Sequence, residues 1–577
     1  VAGLKSSTRQ RIERLYRRKI PSYQVVSPEV ARDLARLSFE CGRQVGLLLA
    51  RDGSVEAVLV GGPRSLFIPD LPKSRGGRWR LRGLRLVHTH LQEEPLSQED
   101  LMDLVFLRLD CLAAIRVDPH GGATQLEVAH ILPANDRDQP GWRILPPTPC
   151  YEPDLDFPSL VQALEDELER NRLAIPAASP EDRAILVSVT TADRETAGKS
   201  MAELIELART SGIAAVDTII QRQRQINSKY LIGKGKLGEI VLRALQCGVD
   251  LLIFDQDLNP SQVRSLTDTT ELRVIDRTQL ILDIFARRAQ SREGKIQVEM
   301  AQLKYLLPRL GMKDDALSRL TGGIGARGPG ETTLEINRRR IKDRITHLEN
   351  QLKLVREGRA QRRSQRMRKR MPVISIVGYT NAGKSTLLNT LTKSLVFVED
   401  KLFATLDPSS RRLRFPRDFE VIITDTVGFI RDLPRTLLDA FAATLEELDD
   451  ADLLLHVVDL SNPQFEDQMA TVDRILKELE LQYKETVLVF NKTDLLAPEY
   501  VQNQVKRYGG VPISALSSRA LEPLILELQD HVAMLLAPEF PGKVPVRLPA
   551  AEPFEQGVPE NKEAKPADSA WLPVEEV

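Results

Sequence analysis

Residues 373–391 constrain the fold of this chain more than any other stretch. Val373-Ile-Ser-Ile-Val377 is a short apolar run, suited to a buried parallel strand. It leads into Gly378-Tyr-Thr-Asn-Ala-Gly-Lys-Ser385 and then into the helical pattern Thr386-Leu-Leu-Asn-Thr-Leu391. A GxxxxGK[ST] loop between a strand and a helix is the phosphate-binding P-loop, so the spacing predicts an α/β domain built on a parallel sheet. Gly378 and Gly383 let the backbone N–H groups of Tyr379, Thr380, Asn381 and Ala382 curl around phosphate oxygens. The helix opening at Thr386 adds a dipole that favours anions. Lys384 is placed to bridge the β- and γ-phosphates, and Ser385 to ligate Mg²⁺.

Further motifs follow in order. The strand Val421-Ile-Ile-Thr424 ends in Asp425, Thr426, Val427 and Gly428. Asp425 is expected to hold Mg²⁺, directly or through water, and the Gly428 N–H to meet the γ-phosphate. Between the P-loop and this motif lie Phe403, Ala404 and Thr405, continuing Leu-Asp-Pro408. Thr405 is the candidate for a second hydroxyl on Mg²⁺, in a loop of the kind that orders around a γ-phosphate.

The base is read further on. The strand Val487-Leu-Val-Phe490 runs into Asn491, Lys492, Thr493 and Asp494. A carboxylate at Asp494 can accept from guanine N1–H and the 2-amino group, two donors that adenine lacks. Asn491 is suited to the N7/O6 edge and the Lys492 stem to the ring face. Ser514, Ala515 and Leu516 supply a backbone N–H for O6. Such a site leaves adenine groups unpaired and so selects GTP and GDP. Lys384, Thr405, Gly428 and Phe429 form the candidate catalytic group. Phe429 is a departure: many regulatory GTPases place a water-orienting glutamine there. A phenyl ring cannot orient water by hydrogen bonding, so intrinsic hydrolysis is expected to be slow until a partner or another residue completes the site.

A length of 577 residues exceeds what one hydrophobic core supports. Residues 1–150 hold many short apolar runs and read as an α/β extension. Residues 151–182 read as a linker with an acidic helix. Residues 183–288 alternate strand and helix signals, as an open α/β sheet does. Within 289–371, Ile296, Met300, Leu303, Leu307 and Leu310 recur at steps of four and three, as do Ile341, Ile345, Leu348, Leu352 and Val355. Two such seams around Thr321–Gly330, which glycines and Pro329 bar from helix, read as an antiparallel hairpin with an irregular tip. Two ordinary core helices are the alternative, since Pro308 interrupts the first seam. Residues 372–537 form the P-loop domain. The Pro-rich, acidic residues 538–577 read as disordered. The fold class is therefore α/β and multidomain.

Formal net charge is −1, but its distribution is uneven. Eight Arg or Lys between Arg356 and Arg370 face only Glu357; they read either as a phosphate-binding run or as a solvated helix face. The basic segment before Ile20 has the same two readings. No apolar run approaches the roughly 20 residues a membrane span needs, and no signal core stands at the N-terminus. Four scattered cysteines fit a reducing, cytoplasmic setting.

Taken together, the chain resembles the HflX GTPases, a family of ribosome-associated P-loop proteins. The carriers are Gly378–Ser385, Phe403–Pro408, Asp425–Phe429, Asn491–Asp494 and, most specifically, Gly322-Gly-Ile-Gly-Ala-Arg-Gly-Pro-Gly-Glu331 ahead of Arg338, Arg339 and Arg340. The likeness extends over about 184–537. It implies an N-terminal α/β domain, a helical hairpin and a GTPase domain. It also implies binding to the large (50S) ribosomal subunit, with splitting or rescue of stalled and idle ribosomes under stress. Arg327, in a glycine-rich tip, and Arg338–Arg340 are the candidate rRNA contacts. A ribosome-assembly GTPase, or an RNA-binding scaffold whose affinity GTP sets, are the rival readings. The family's N-terminal domain is also associated with ATP, for which Ile232-Gly-Lys-Gly-Lys236 is the nearest feature.

The first 150 residues lie outside that likeness. Val87-His-Thr-His90 followed by Ser97-Gln-Glu-Asp100 is similar to the JAMM (MPN) metalloprotease pattern, in which two histidines and an aspartate bind zinc. The gap from His90 to Ser97 is one residue short of that pattern. Glu40 and Glu56 are the candidate acids of such a site. The alternative is two surface histidines beside a Ser97 helix cap.

Overall fold

The computed structural model describes residues 6–69, 71, 80–134, 140–151, 155–174, 183–224, 231–312, 333–369, 371–392, 403, 409–415, 420–426, 428–431, 437 and 448–536. The chain divides into two compact units, Val1–Arg277 and Thr278–Val577.

The first unit opens with α1 (Ser6–Leu15) and α2 (Pro28–Cys41), then β1 (Val45–Ala50), β2 (Val55–Val60), β3 (Leu84–Leu91), α3 (Gln98–Phe106), β4 (Cys111–Val117), β5 (Ala123–Ile131), β6 (Trp142–Ile144) and β7 (Thr148–Pro149). The basic residues of α1 and its exit face acids: Arg9 pairs with Glu13, Arg11 with Glu40 and Arg18 with Asp33. The strands form one sheet in the order β2-β1-β3-β4-β5-β6, with β7 also on β5. Only β3 and β4 run parallel, joined through α3; their neighbours are antiparallel. Strand alternation sends Leu47 and Leu49 into one core with Leu34 and Ala35 of α2, while Leu48 enters a second core with Leu101 and Leu104 of α3.

Helix α4 (Phe157–Ala174) lies where the sequence places an acidic helix within 151–182, and it packs into the fold. Phe157 and Val161 pack into the first core and Leu164 and Leu168 into the second. Its acidic positions concealed an apolar stripe; Glu165 also pairs with Arg51 at 2.8 Å.

A parallel sheet follows: β8 (Arg183–Thr190), α5 (Arg194–Thr210), β9 (Ala214–Arg222), α6 (Lys234–Cys247), β10 (Leu251–Phe254), α7 (Pro260–Thr270) and β11 (Arg273–Asp276), in the order β11-β10-β8-β9. Val241, Leu242 and Leu245 of α6 insert into the second core of the preceding sheet. Arg82 and Arg108 both pair with Glu271, just before β11.

The second unit takes in α8 (Arg277–Arg288), α9 (Arg292–Leu306) and α10 (Thr333–Lys369). Pro308 ends α9 as α-helix, because it lacks an N–H and clashes with the turn before; Leu307–Met312 continue as a 3₁₀ turn. Ile296 and Met300 meet Ile345, Leu348 and Leu352 in one apolar seam. Glu299 pairs with Arg344 at 2.7 Å, and Lys304 with Glu349 at 2.9 Å. Like heptad positions thus meet across the seam, as they do between helices running opposite ways. The glycine-rich tip with Arg327 lies outside the described residues.

The P-loop domain comprises β12 (Val373–Gly378), α11 (Lys384–Thr392), β13 (Ser409–Arg414), β14 (Glu420–Asp425), β15 (Leu453–Asp459), α12 (Phe465–Glu478), β16 (Thr486–Asn491), α13 (Pro498–Tyr508), β17 (Val511–Pro512) and α14 (Glu522–Leu536). Its sheet runs β13-β14-β12-β15-β16-β17, parallel except for the β13 edge. The chain leaves β12 toward β14 on one side and β15 lies on the other, so the loop after β12 sits at the switch point where α/β sheets bind ligands. No helix among the described residues is long and apolar enough to cross a membrane.

Candidate nucleotide site

The ends of β12, β14, β15 and β16 bring Gly378, Asp425, Asp459 and Asn491 to one edge of the sheet. The loop after β12 is tightly wound. Asn381 has φ 63° and Gly383 φ 92°. A Cβ on Gly378 would lie 2.3 Å from the Val457 carbonyl oxygen, and one on Gly383 2.2 Å from Asn491 Nδ2. Only glycine fits either place. Ala382 is fully buried, and the buried Thr380 hydroxyl has no hydrogen-bond partner.

Lys384 opens α11 and points back over the loop, donating to the Tyr379 carbonyl at 2.8 Å. Burial lowers its pKa to about 8, opposed by the charge of Asp425. Ser385 donates to Asp425 Oδ2 at 2.7 Å. Thr426 turns inward and donates to the Ile376 carbonyl at 2.6 Å, anchoring the segment after β14. Gly428 packs against the loop: a Cβ there would lie 2.8 Å from Thr380 Cγ2 and 2.9 Å from Lys384 Nζ. Phe429 is 2% exposed, and its backbone pairs with the loop through Thr380 N to Phe429 O (2.8 Å) and Phe429 N to Gly378 O (3.1 Å). Its ring is therefore core, and its main chain ties the segment after β14 to the phosphate loop.

At the other end, Asn491 is 2% exposed. Its Nδ2 donates to the Ala382 carbonyl at 2.8 Å, and its Oδ1 accepts from Ala515 N at 2.9 Å. Asn491 thus spends its amide joining two loops, where the sequence suggested direct contact with the base. Lys492 is left-handed (φ 61°) and pairs with Asp459 at 2.8 Å, holding its stem along the pocket. Asp494 lies exposed in a 3₁₀ turn, Thr493–Leu495. Ser514 and Ala515 are buried and Leu516 is 81% exposed.

Phe403 is buried. Its ring packs edge-on against Phe285 of α8, centroids 4.7 Å apart, and is 2% exposed. Ala404, Thr405 and Val427 lie outside the described residues. The backbone of α10 carries Arg338, Arg339 and Arg340, all exposed.

Two contributors were missed in the sequence. Asp459 fixes Lys492, and its place at a strand end beside Asn491 was the available signal. His456, on β15 beside Val377, is 3% exposed near Lys384, and burial lowers its pKa to about 4. In the first unit, Gly233 caps α6, so Lys234 and Gly235 lie in its first turn; Lys236 pairs with Glu239 at 2.5 Å.

Comparison with known proteins agrees with this arrangement. Residues 198–286 match the family model "GTP-binding GTPase N-terminal", 288–366 "GTP-binding GTPase Middle Region" and 373–492 "50S ribosome-binding GTPase". GTPase HflX of Lacrimispora saccharolytica is 48% identical over 345 residues, covering 60% of this chain and 82% of that protein. The chain belongs to the HflX family of GTPases. The HflX proteins of Alkalihalophilus pseudofirmus (47%; 59% of this chain, 80% of the relative) and Escherichia coli (40%; 61% and 83%) are also similar. Among solved structures, the SsGBP–GDP complex aligns with 26% identity, a TM-score of 0.38, and coverage of 61% of this chain and 99% of that one. The resemblance of the HflX motifs to this chain is thus matched over the domains that carry them.

Proposed function

We propose that this HflX-family chain binds GTP and GDP with Mg²⁺ in the cytoplasm and hydrolyses GTP while engaged on the large ribosomal subunit. The observation that carries the reading is the edge where Lys384, Ser385, Asp425 and the Asn491–Ala515 junction meet around a loop that admits only glycine at 378 and 383. Ser385 and Asp425 are hard oxygen donors side by side, the set that Mg²⁺ takes. An Mg²⁺ held by these two residues would supply positive charge for the β- and γ-phosphates. Lys384 swings from the Tyr379 carbonyl onto the phosphates, and the loop N–H groups hold their oxygens. Thr405 adds the second hydroxyl. Gly428 brings its N–H beside the γ-phosphate, where any side chain would strike Thr380 and Lys384. Asp494 accepts from the guanine N1–H and amino groups, and Ala515, steadied by Asn491, presents its N–H to O6.

Attachment to the large subunit is supported by the description of the model matched over 373–492 and by the exposed Arg338–Arg340 on α10. These arginines, with Arg327 of the glycine-rich segment, suit rRNA phosphates. On this reading the chain splits or rescues stalled or idle ribosomes under stress. Incubating it with intact 70S particles and GTP, or a non-hydrolysable analogue, and resolving subunits on a gradient tests the proposal. Free large subunits carrying the protein are expected; intact 70S in both arms would sink it. A chain that binds only immature large particles would instead be an assembly GTPase.

A further inference from the structure

We propose that the first unit carries a second metal site, for a zinc-class divalent ion, made by His88, His90 and Asp100. His88 and His90 alternate along β3 and so face the same side of the sheet, while Asp100 sits in the first turn of α3. His88 Nε2 and His90 Nε2 lie 2.8 Å apart. Asp100 Oδ1 is 3.1 Å from His88 Nε2, and Oδ2 is 3.3 Å from His90 Nε2. Ligand atoms bound tetrahedrally at about 2.0–2.1 Å from zinc stand about 3.3–3.4 Å apart. The three groups therefore approach one face of such a polyhedron, the two Asp100 contacts closely and the two histidine nitrogens about half an ångström short of it. All three lie buried, with side-chain exposures of 1%, 3% and 13%.

The surroundings orient them as ligands. His90 Nδ1 lies 2.9 Å from the Pro95 carbonyl oxygen and 3.1 Å from that of Glu94. Carbonyls only accept, so Nδ1 carries the hydrogen, and the neutral ring presents the Nε2 lone pair to the cluster. Asp100 Oδ2 accepts from Ser97 N at 2.7 Å and Ser97 Oγ at 2.6 Å, which locks the carboxylate toward the rings. His88 Nδ1 is buried without a hydrogen-bond partner, so this ring depends on what its Nε2 meets. Two imidazole Nε2 atoms and a carboxylate converging in a buried place need either a proton shared among them or a cation in its place.

Two nitrogens and one oxygen suit zinc better than Mg²⁺, and three protein ligands leave a fourth position for water. Glu40 is held by Arg11 and Arg36, and Glu56 is exposed on β2, so neither supplies a base here. The ion acts as a clamp between β3 and α3. Helix α3 in turn packs on α6, where a Cβ on Gly238 would lie 2.0 Å from Met102 Cε. Metal occupancy should therefore stabilise the first unit independently of nucleotide.

The test uses the full chain, stripped with chelator and titrated with Co²⁺. One equivalent is expected to give the intense visible bands of tetrahedral Co²⁺, displaced by Zn²⁺ and untouched by excess Mg²⁺. His90→Gln and Asp100→Asn should abolish the bands, with a cooperative unfolding transition of the first unit, followed by circular dichroism, retained as proof of folding. Ser97→Ala, which removes an outer-shell partner, should weaken zinc about 10–100-fold. Ser385→Ala should leave the bands unchanged. Absence of bands in the parent chain, or bands surviving both ligand substitutions, would overturn the proposal.

Discussion

Ser385 and Asp425, forty residues apart in sequence, meet at 2.7 Å through the serine hydroxyl and Asp425 Oδ2. The first residue belongs to the helix after β12 and the second to the end of β14, so the sheet itself sets their separation. A Mg²⁺ ion there would be held by the Ser385 hydroxyl and, directly or through water, by Asp425. Ser385→Ala is expected to remove Mg²⁺-dependent tightening of GTP while the protein stays folded. Nucleotide titrations with Mg²⁺ and with chelator measure this; equal tightening in parent and variant would take Ser385 out of the metal site.

On the proposed reading, base selection rests on Asp494, which lies exposed in the 3₁₀ turn after Lys492. Asp494→Asn replaces part of an acceptor with a donor. Preference should move from GTP toward XTP by at least about a hundredfold in relative affinity, because mismatched polar groups at a base site go unpaired. Competition between the two nucleotides reads it directly.

Gly383 carries a sharper steric demand. A methyl there meets Asn491 Nδ2 at 2.2 Å and must be held at φ 92°. Strain of about 1–3 kcal/mol is the expected scale. Gly383→Ala should weaken GDP roughly tenfold to a hundredfold, with Asn491→Ala weakening it by the same route. If the double variant is no weaker than either single one, the junction acts as one unit, as argued. Full additivity would contradict that.

His456 makes the second unit sensitive to acid. Burial, with the nearby Lys384 charge, lowers its pKa from about 6.5 unfolded to about 4. A depressed folded value means that its contribution is fully present above pH 6.5 and is lost as pH falls toward 4. The loss amounts to about 3 kcal/mol by linkage. His456→Gln should flatten the dependence of unfolding free energy on pH between 6.5 and 4. Parallel curves for parent and variant would mean that His456 is not the group responsible.

Much of this was legible because P-loop chemistry is local in sequence. Glycines at 378 and 383, Lys384 and Ser385 are fixed by the spacing of one strand, one loop and one helix. The Asn491 junction was not legible, since its partners Ala382 and Ala515 come from other loops and a lone NKxD motif cannot show where its amide points. That the Phe403 ring packs on Phe285 of α8 was not legible either, since the two lie far apart in sequence. Helix α4 looks like a charged spacer because its apolar residues, Phe157, Val161, Leu164 and Leu168, are interleaved with acids and face two different cores. The metal cluster was readable as a pattern of residue types. Only the fold brings Asp100 to the same side of β3 as both histidines.

On the proposed reading, Arg327, in the glycine-rich segment between α9 and α10, takes part in binding the ribosome. Arg327→Ala should leave intrinsic GTP hydrolysis near the parent rate and weaken large-subunit binding by about 1–3 kcal/mol, the scale of one charge-assisted hydrogen bond. Sedimentation binding with purified large subunits checks this. Unchanged binding would make the tip arginine structural.

The central claim couples the nucleotide site to the large subunit, and GTP turnover with and without purified large subunits tests it most directly. Turnover by the parent chain should be slow alone, since Phe429 is a core ring and orients no water, and should rise severalfold or more when large subunits are added. Lys384→Ala should abolish both rates. Turnover by the parent that is equal with and without large subunits would contradict the account.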